Sequence, residues 1–284
     1  MILDRRQLMS LSAAGVAGVM MSGLPARAQG NSTSTEFLDH FSAKGFEKLK
    51  PLSLLTEFGF NGGLRYDDTR SDYPAGPSVC VQPACRIDDI GKAKKPGVLA
   101  LFNIMVVNVP DASLAGTTAE QLLEFAIEHA GLDPAKIVYV STDLFEPYLK
   151  DSALLQKGQF VRRERGESMT TGEGSGFFAP AGHPQTPGFP TVSIHYPINA
   201  DAEPEMNFPL PDHLEIGEII LEDQQAGRPG PVGGGFGLER LALASGKPAP
   251  DFTESRVEFL RLARLEAEET GRKLPEGYAA YSTL

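Results

Sequence analysis

Arg240 stands where a run of glycines meets an apolar segment, in Gly233-Gly234-Gly235-Phe236-Gly237-Leu238-Glu239-Arg240-Leu241-Ala242. Glycine lets a backbone approach a ligand closely, and a helix starting just beyond turns free N–H groups and a positive dipole end toward it. A permanently charged guanidinium at the same junction adds forked donors for an oxyanion. The chemistry this spacing suggests is recognition of a polyphosphate, with the glycines read as a turn between a strand and a helix. The competing reading of such an arginine is a structural ion pair.

Other residues that carry chemistry are scattered more thinly. His183, His195 and His213 fall in or beside a Gly/Pro-rich middle region. They could serve a site of different chemistry, although a histidine so placed is more often an ordinary loop or strand residue. Asp201, Glu203 and Glu205 could join them at a metal, but the spacing matches no standard ligand set, and no metal site is assigned. Cys80 and Cys85 share the segment Val79-Cys80-Val81-Gln82-Pro83-Ala84-Cys85-Arg86. On one extended strand they are too far apart to bridge, so a disulfide needs a turn at Gln82-Pro83. No neighbouring Cys or His run completes a zinc site.

The ends and the charge narrow the setting. Arg5-Arg6, an apolar small-residue run from Leu11 to Leu24, and Pro25-Ala26-Arg27-Ala28 together read as a twin-arginine export signal over residues 1–28, cut after Ala28. The alternative is a membrane anchor, for which the run is short and rich in Ala, Gly and Ser. The expected destination is periplasmic or secreted, with no stable membrane span in the mature form. Residues 1–28 carry Arg5, Arg6 and Arg27 against Asp4, so the remainder holds −13 where the whole chain holds −11. Such a surface repels nucleic-acid phosphates. The basic stretch Arg162-Arg163-Glu164-Arg165 is flanked by acids and reads as a solvated loop.

Elements that must position these residues follow from patterning. Residues 31–35 are Ser/Thr-rich and expected to be disordered. Glu36–Gly45 reads as an amphipathic helix with Phe37, Leu38 and Phe41 on one face. Leu52–Leu55 and Phe58–Phe60 are short apolar pieces before a turn at Asn61-Gly62-Gly63. Val79–Ile87 alternates as a strand, and Gly97–Val109 reads as a buried one. Thr117 or Thr118 is expected to cap a helix through His129, with Glu120 near the capping-box position and Gly131 as its stop. Ile137–Val140 and Leu214–Leu221 read as strands, and Glu254–Thr270 as a helix ended by Gly271. Residues 150–211 read as a divergent insertion or a lid within one domain of residues 29–284. Strands and helices interleave without regular alternation, which implies an α+β fold on an antiparallel sheet.

Three ordered blocks resemble the catalytic core of the class II aminoacyl-tRNA synthetases, and specifically of alanyl-tRNA synthetases. The first is Glu36-Phe37-Leu38-Asp39-His40-Phe41 to Phe46 with Phe60-Asn61-Gly62-Gly63-Leu64, similar to the family's opening helix and Asn-Ala-Gly turn. The second, Val81-Gln82-Pro83-Ala84-Cys85-Arg86-Ile87-Asp88-Asp89-Ile90 with Leu99-Ala100-Leu101-Phe102-Asn103-Ile104-Met105, resembles motif 2. The third is the Arg240 block, which resembles motif 3. The resemblance implies a mostly antiparallel sheet flanked by helices and a bent ATP with Mg²⁺. It implies that Arg86 holds the α-phosphate, that Arg240 contacts the far phosphates beside Gly235 and Gly237, and that Phe102 lies by the adenine. Asn61 and Gly233 then belong to the substrate pocket. Plain core is the competing reading of Phe102.

Departures from the pattern define the expected function. The family's aspartate for the amino group of alanine is Gly233 here, and the glutamate after the motif 2 aromatic is Asn103. Lys92, Lys94 and Lys95 occupy the motif 2 loop, where they reach a phosphate or form a solvated basic loop. The tRNA-recognition and editing parts have no counterpart. The expectation is an exported synthetase-like protein that binds ATP and activates a small-molecule carboxylate without charging tRNA, with no nucleic-acid partner and a homodimer through the motif 1 region. The alternative is a degenerate fold repurposed for another small molecule.

Overall fold

The structure is a computed structural model that describes residues 28–56, 59–61, 75–86, 99–172, 174–179, 188–199, 204, 207–221, 232–247, 252–276 and 278. The proposed signal residues 1–27, Gly62-Gly63, Lys92, Lys94, Lys95, His183, Asp201, Glu203 and Glu205 lie outside them. Among the described residues no helix is long and apolar enough to cross a membrane.

Helix α1 (Ala28–Ala43) starts earlier than its apolar pattern suggests. Thr33, Phe37 and Phe41 are four apart, share one stripe, and are all buried. This corrects the expected disorder at residues 31–35: Thr33 extends the phenylalanine face by a turn, so the Ser/Thr stretch is held in the helix by packing. Gly45, at φ 91°, ends it.

Among the described residues nine strands follow: β1 (Glu47–Lys48), β2 (Ser78–Cys85), β3 (Leu101–Val109), β4 (Val138–Ser141), β5 (Gln159–Arg162), β6 (Phe177–Phe178), β7 (Phe189–Pro197), β8 (His213–Leu221) and β9 (Val232–Gly237). Their order in the sheet is β1-β2-β3-β9-β8-β7-β4-β5, with β6 paired to β7. Only β1/β2 and β4/β5 are parallel. The helices are α2 (Ala115–Glu128), α3 (Glu146–Asp151), α4 (Arg165–Thr171), α5 (Leu238–Ala244) and α6 (Phe252–Thr270). The architecture is therefore α+β, a mostly antiparallel sheet flanked by helices. The described part of residues 150–211 is built into it, since β7 runs between β4 and β8.

Two local expectations are corrected. The glycine run is not a turn but strand β9, in the middle of the sheet between β3 and β8. A side chain on Gly235 would run into the carbonyl of Met105, so glycine is what allows β9 to lie this close to β3. The start of α2 has neither a Thr117/Thr118 cap nor a capping box. A 3₁₀ turn over Ala112–Leu114 leads into the helix, Thr118 is buried, and Glu120 instead accepts from Ser152 Oγ at 2.8 Å. Its C-terminus is as expected: Gly131 has φ 72°, and Leu132 N–H reaches back to Ala126 at 3.2 Å.

One face of the sheet carries the main core. Met105 and Val107 of β3, Phe236 of β9, Ile219 of β8, Ile194 of β7 and Tyr139 of β4 pack against Leu122, Leu123 and Phe125 of α2 and Phe37 and Phe41 of α1. Each fully buried large apolar side chain contributes about 1.5–3 kcal/mol, so this layer dominates the fold's hydrophobic stabilisation. A second cluster joins Phe259, Leu260, Leu262 and Ala263 of α6 to Leu54, Leu55, Phe60 and the ends of β2 and β3. Glu266 of α6 fixes it by accepting from Leu54 N at 2.8 Å and Leu55 N at 3.1 Å.

Cys80 and Cys85 are free and buried on β2, where the extended chain keeps them apart. Burial pushes both thiols up to about 12. Native protein should thus resist iodoacetamide at neutral pH, and both thiols should alkylate after denaturation. Rapid labelling of folded protein would contradict their placement.

Candidate functional site

Among the described residues, the face of the sheet opposite α2 holds a cleft over β3, β9 and β8. Gly234 points its missing side chain at Leu122 of α2, so by alternation Gly235 and Gly237 face the other way. Their register partners on β3 are Val106 and Ile104. With Phe102, these residues form an apolar floor, and Phe178 of β6 and Ile220 of β8 complete the walls of the cleft. Its apolar lining, with a few charged groups converging on it, suits a small ligand. The apolar run of β3 is therefore buried on one face only: Met105, Val107 and Val109 are core, whereas Phe102, Ile104 and Val106 are half-buried.

Two arginines reach this cleft from distant parts of the chain. Arg86 follows β2, with its N–H held by Ala100 O at 2.7 Å, and its guanidinium carbon lies 5.3 Å from the centre of the Phe102 ring. That is cation–π range. Arg240 stands in the first turn of α5 and donates from Nη1 to the Glu215 carbonyl at 3.1 Å and to Glu215 Oε2 at 3.2 Å. Its side chain is about one quarter exposed.

The helix that carries Arg240 is anchored by the residue before it. Strand β9 ends at Gly237, so the Asn103 N–H lies just beyond the β3/β9 ladder and needs another acceptor. Glu239 supplies it, accepting from Asn103 N at 2.9 Å and from Asn103 Nδ2 at 2.9 Å. Desolvation holds the Glu239 carboxyl above its ordinary 4.5, opposed by these Asn103 bonds. A raised folded-state pKa contributes stability that is present below the unfolded value and lost as pH rises through the folded one. A Glu239→Gln variant keeps an acceptor and loses this slope. Its urea midpoint relative to the parent should therefore rise with pH above the ordinary glutamate range, and a pH-independent difference would refute the assignment.

Acidic residues Glu215 and Glu218 also line the cleft. Three residues apart on a regular strand, they would face opposite ways. A bulge at Ile216, where the register shifts against Ile194/His195, brings both to the cleft face. Thr191 Oγ1 donates to Glu218 Oε1 at 2.5 Å. No sequence signal marks that bulge, so neither carboxylate stood out beforehand.

The structure gathers Arg86, Phe102, Gly235, Gly237 and Arg240 around one cleft. Asn61 is elsewhere: it is buried, its carbonyl accepts from Cys85 N at 2.9 Å, and its Nδ2 donates to Ser53 O at 3.1 Å. Gly233 pairs with Asn108 and Ile220, beyond the cleft lining. His195 and His213 are buried and are not among the lining residues. His195 Nε2 donates to Gly174 O at 2.8 Å, and burial lowers its pKa, with Glu215 opposing. Arg162, Arg163 and Arg165 face Glu146, Glu167 and Asp143 respectively, so each has an acidic neighbour.

Comparison with protein-family models gives no match, and no curated protein matches the chain. Among solved structures, apo S. aureus histidyl-tRNA synthetase is similar over 80% of this chain and 69% of that one, at a TM-score of 0.43 and 11% identity.

Proposed function

We propose that the cleft is the nucleotide site of a class II synthetase-type core that binds ATP with Mg²⁺ and activates a small-molecule carboxylate as an adenylate. The observation that supports this most is that Arg86 and Arg240, 154 positions apart in sequence, line the same glycine-floored cleft. The alanyl affinity of the core rests on the three sequence blocks.

The residues fit such a group. Arg86 and Arg240 offer forked cations for phosphate oxygens, Phe102 offers an aromatic face for a base, and Gly235 and Gly237 leave the floor bare. Glu215 and Glu218 are oxygen ligands of the kind Mg²⁺ takes. Bound Mg²⁺ would neutralise phosphate charge. In the proposed reaction a carboxylate oxygen attacks the α-phosphorus and pyrophosphate leaves, so fixed cations act on the negative charge that builds there. The position that the resemblance matches to the family's alanine-binding aspartate is Gly233, which supports a carboxylate other than alanine. The acidic charge of the chain, which repels nucleic-acid phosphates, supports a small acceptor in place of tRNA. The twin-arginine pattern supports export to the periplasm, and the family resemblance supports a homodimer.

A second reading is favoured by one observation: Arg240 is already paired with Glu215. Among the described residues, the two arginines and two glutamates of the cleft balance, which suits a small zwitterionic ligand in a repurposed pocket. ATP–pyrophosphate exchange over a panel of carboxylates separates the readings. Exchange that requires one carboxylate supports adenylate formation, and absence of exchange with every member favours the repurposed pocket.

A further inference from the structure

A second cluster lies on the helical side of the sheet, away from the cleft. Glu36 and His40 are one turn apart on α1, and Glu128 and His129 close α2. The ligand atoms of His40, Glu128 and His129 all fall within 4.8 Å of one another. The two imidazoles meet edge to face, with ring centres 5.3 Å apart at 84°. Glu36 Oε2 stands 3.9 Å from His129 Nδ1 and adds a fourth potential ligand.

The structure assigns to His40, His129 and Glu128, with Glu36 beside them, a divalent transition-metal site that joins α1 to the end of α2. Ordinary packing accounts for part of the cluster. His129 stacks on Phe125 at 4.9 Å, and His40 packs edge-on against Phe41 and Phe125. It does not account for His40 Nε2, which is shielded from solvent and has no hydrogen-bond partner among the described residues. Leaving such a group unsatisfied costs about 1–3 kcal/mol, and a metal removes that penalty. Two imidazoles with one or two carboxylates suit zinc, nickel or cobalt and not the all-oxygen shells of Ca²⁺ or Mg²⁺. Helix α2 also directs its negative dipole end at the cluster, which favours a cation. A metal here clamps the helix pair whose phenylalanines build the core, so its effect is on stability.

The test uses the untagged full chain, freed of metal by chelation and dialysis. Zn²⁺ should raise the midpoint of thermal unfolding, and Co²⁺ should give visible ligand-field absorption. His129→Gln and Glu128→Gln, both at exposed positions, should each weaken Co²⁺ binding at least tenfold while leaving the metal-free midpoint close to that of the parent. No Co²⁺ spectrum in the parent chain would overturn the site. An unchanged Co²⁺ affinity in both variants would overturn it equally, by placing the metal elsewhere.

Discussion

Gly235→Ala should abolish or severely weaken folding, whereas Gly233→Ala, two residues earlier on the same strand, should leave stability almost unchanged. At Gly235 a methyl group runs into the Met105 carbonyl and comes within 3.0 Å of Val106 Cα, all on the neighbouring strand. Backbone cannot move aside as a flexible side chain can, and β3 is locked by β2 beyond it. Overpacking of a well-packed site costs about 1–3 kcal/mol, and an obstructed central ladder belongs at or above the top of that range. A typical domain holds only about 5–15 kcal/mol in total. At Gly233 the nearest atoms are Val107 O at 3.4 Å and Asn108 Oδ1 at 3.6 Å, so a methyl group fits. Glycine in a strand interior is itself unfavourable, which offsets the small crowding. Urea unfolding of the two variants decides the matter, and similar midpoints would contradict the close approach of β9 to β3.

The second large effect concerns the arginines. Arg240→Ala and Arg86→Ala should each weaken ATP·Mg²⁺ binding about 10–100-fold, since a hydrogen bond to a charged group contributes roughly 1.5–3 kcal/mol. Arg240→Lys should recover only part of the loss, because an ammonium lacks the forked geometry with which the guanidinium meets both Glu215 and an oxyanion. Displacement of a fluorescent ATP analogue measures all three variants. Equal affinity in Arg240→Ala and the parent would mean that Arg240 serves only its ion pair with Glu215.

Sequence patterning reached β2, β3, β4, β8 and the long helices because their apolar patterns are strong. Phe37 and Phe41 mark α1, and the alternation of Val79–Ile87 marks β2. It missed what depends on neighbours distant in sequence. Residues 31–35 look disordered until Thr33 is seen to extend a buried stripe. The glycines of β9 look like a phosphate turn because the sequence does not carry the proximity of Met105, and that proximity is what requires them. At the site, Arg86, Phe102 and Arg240 were legible from motif resemblance. Glu215 and Glu218 were not, because a bulge at Ile216 sets their common face, and Glu239 was not, because its partner Asn103 is 136 residues away.

Titration calorimetry of ATP·Mg²⁺ into the full chain tests the central claim most directly. The account predicts saturable binding at one site per chain that depends on Mg²⁺. Absence of binding heat with millimolar ATP·Mg²⁺, at two temperatures so that a vanishing enthalpy is not mistaken for no binding, would contradict the nucleotide reading and leave a repurposed pocket for a different small ligand.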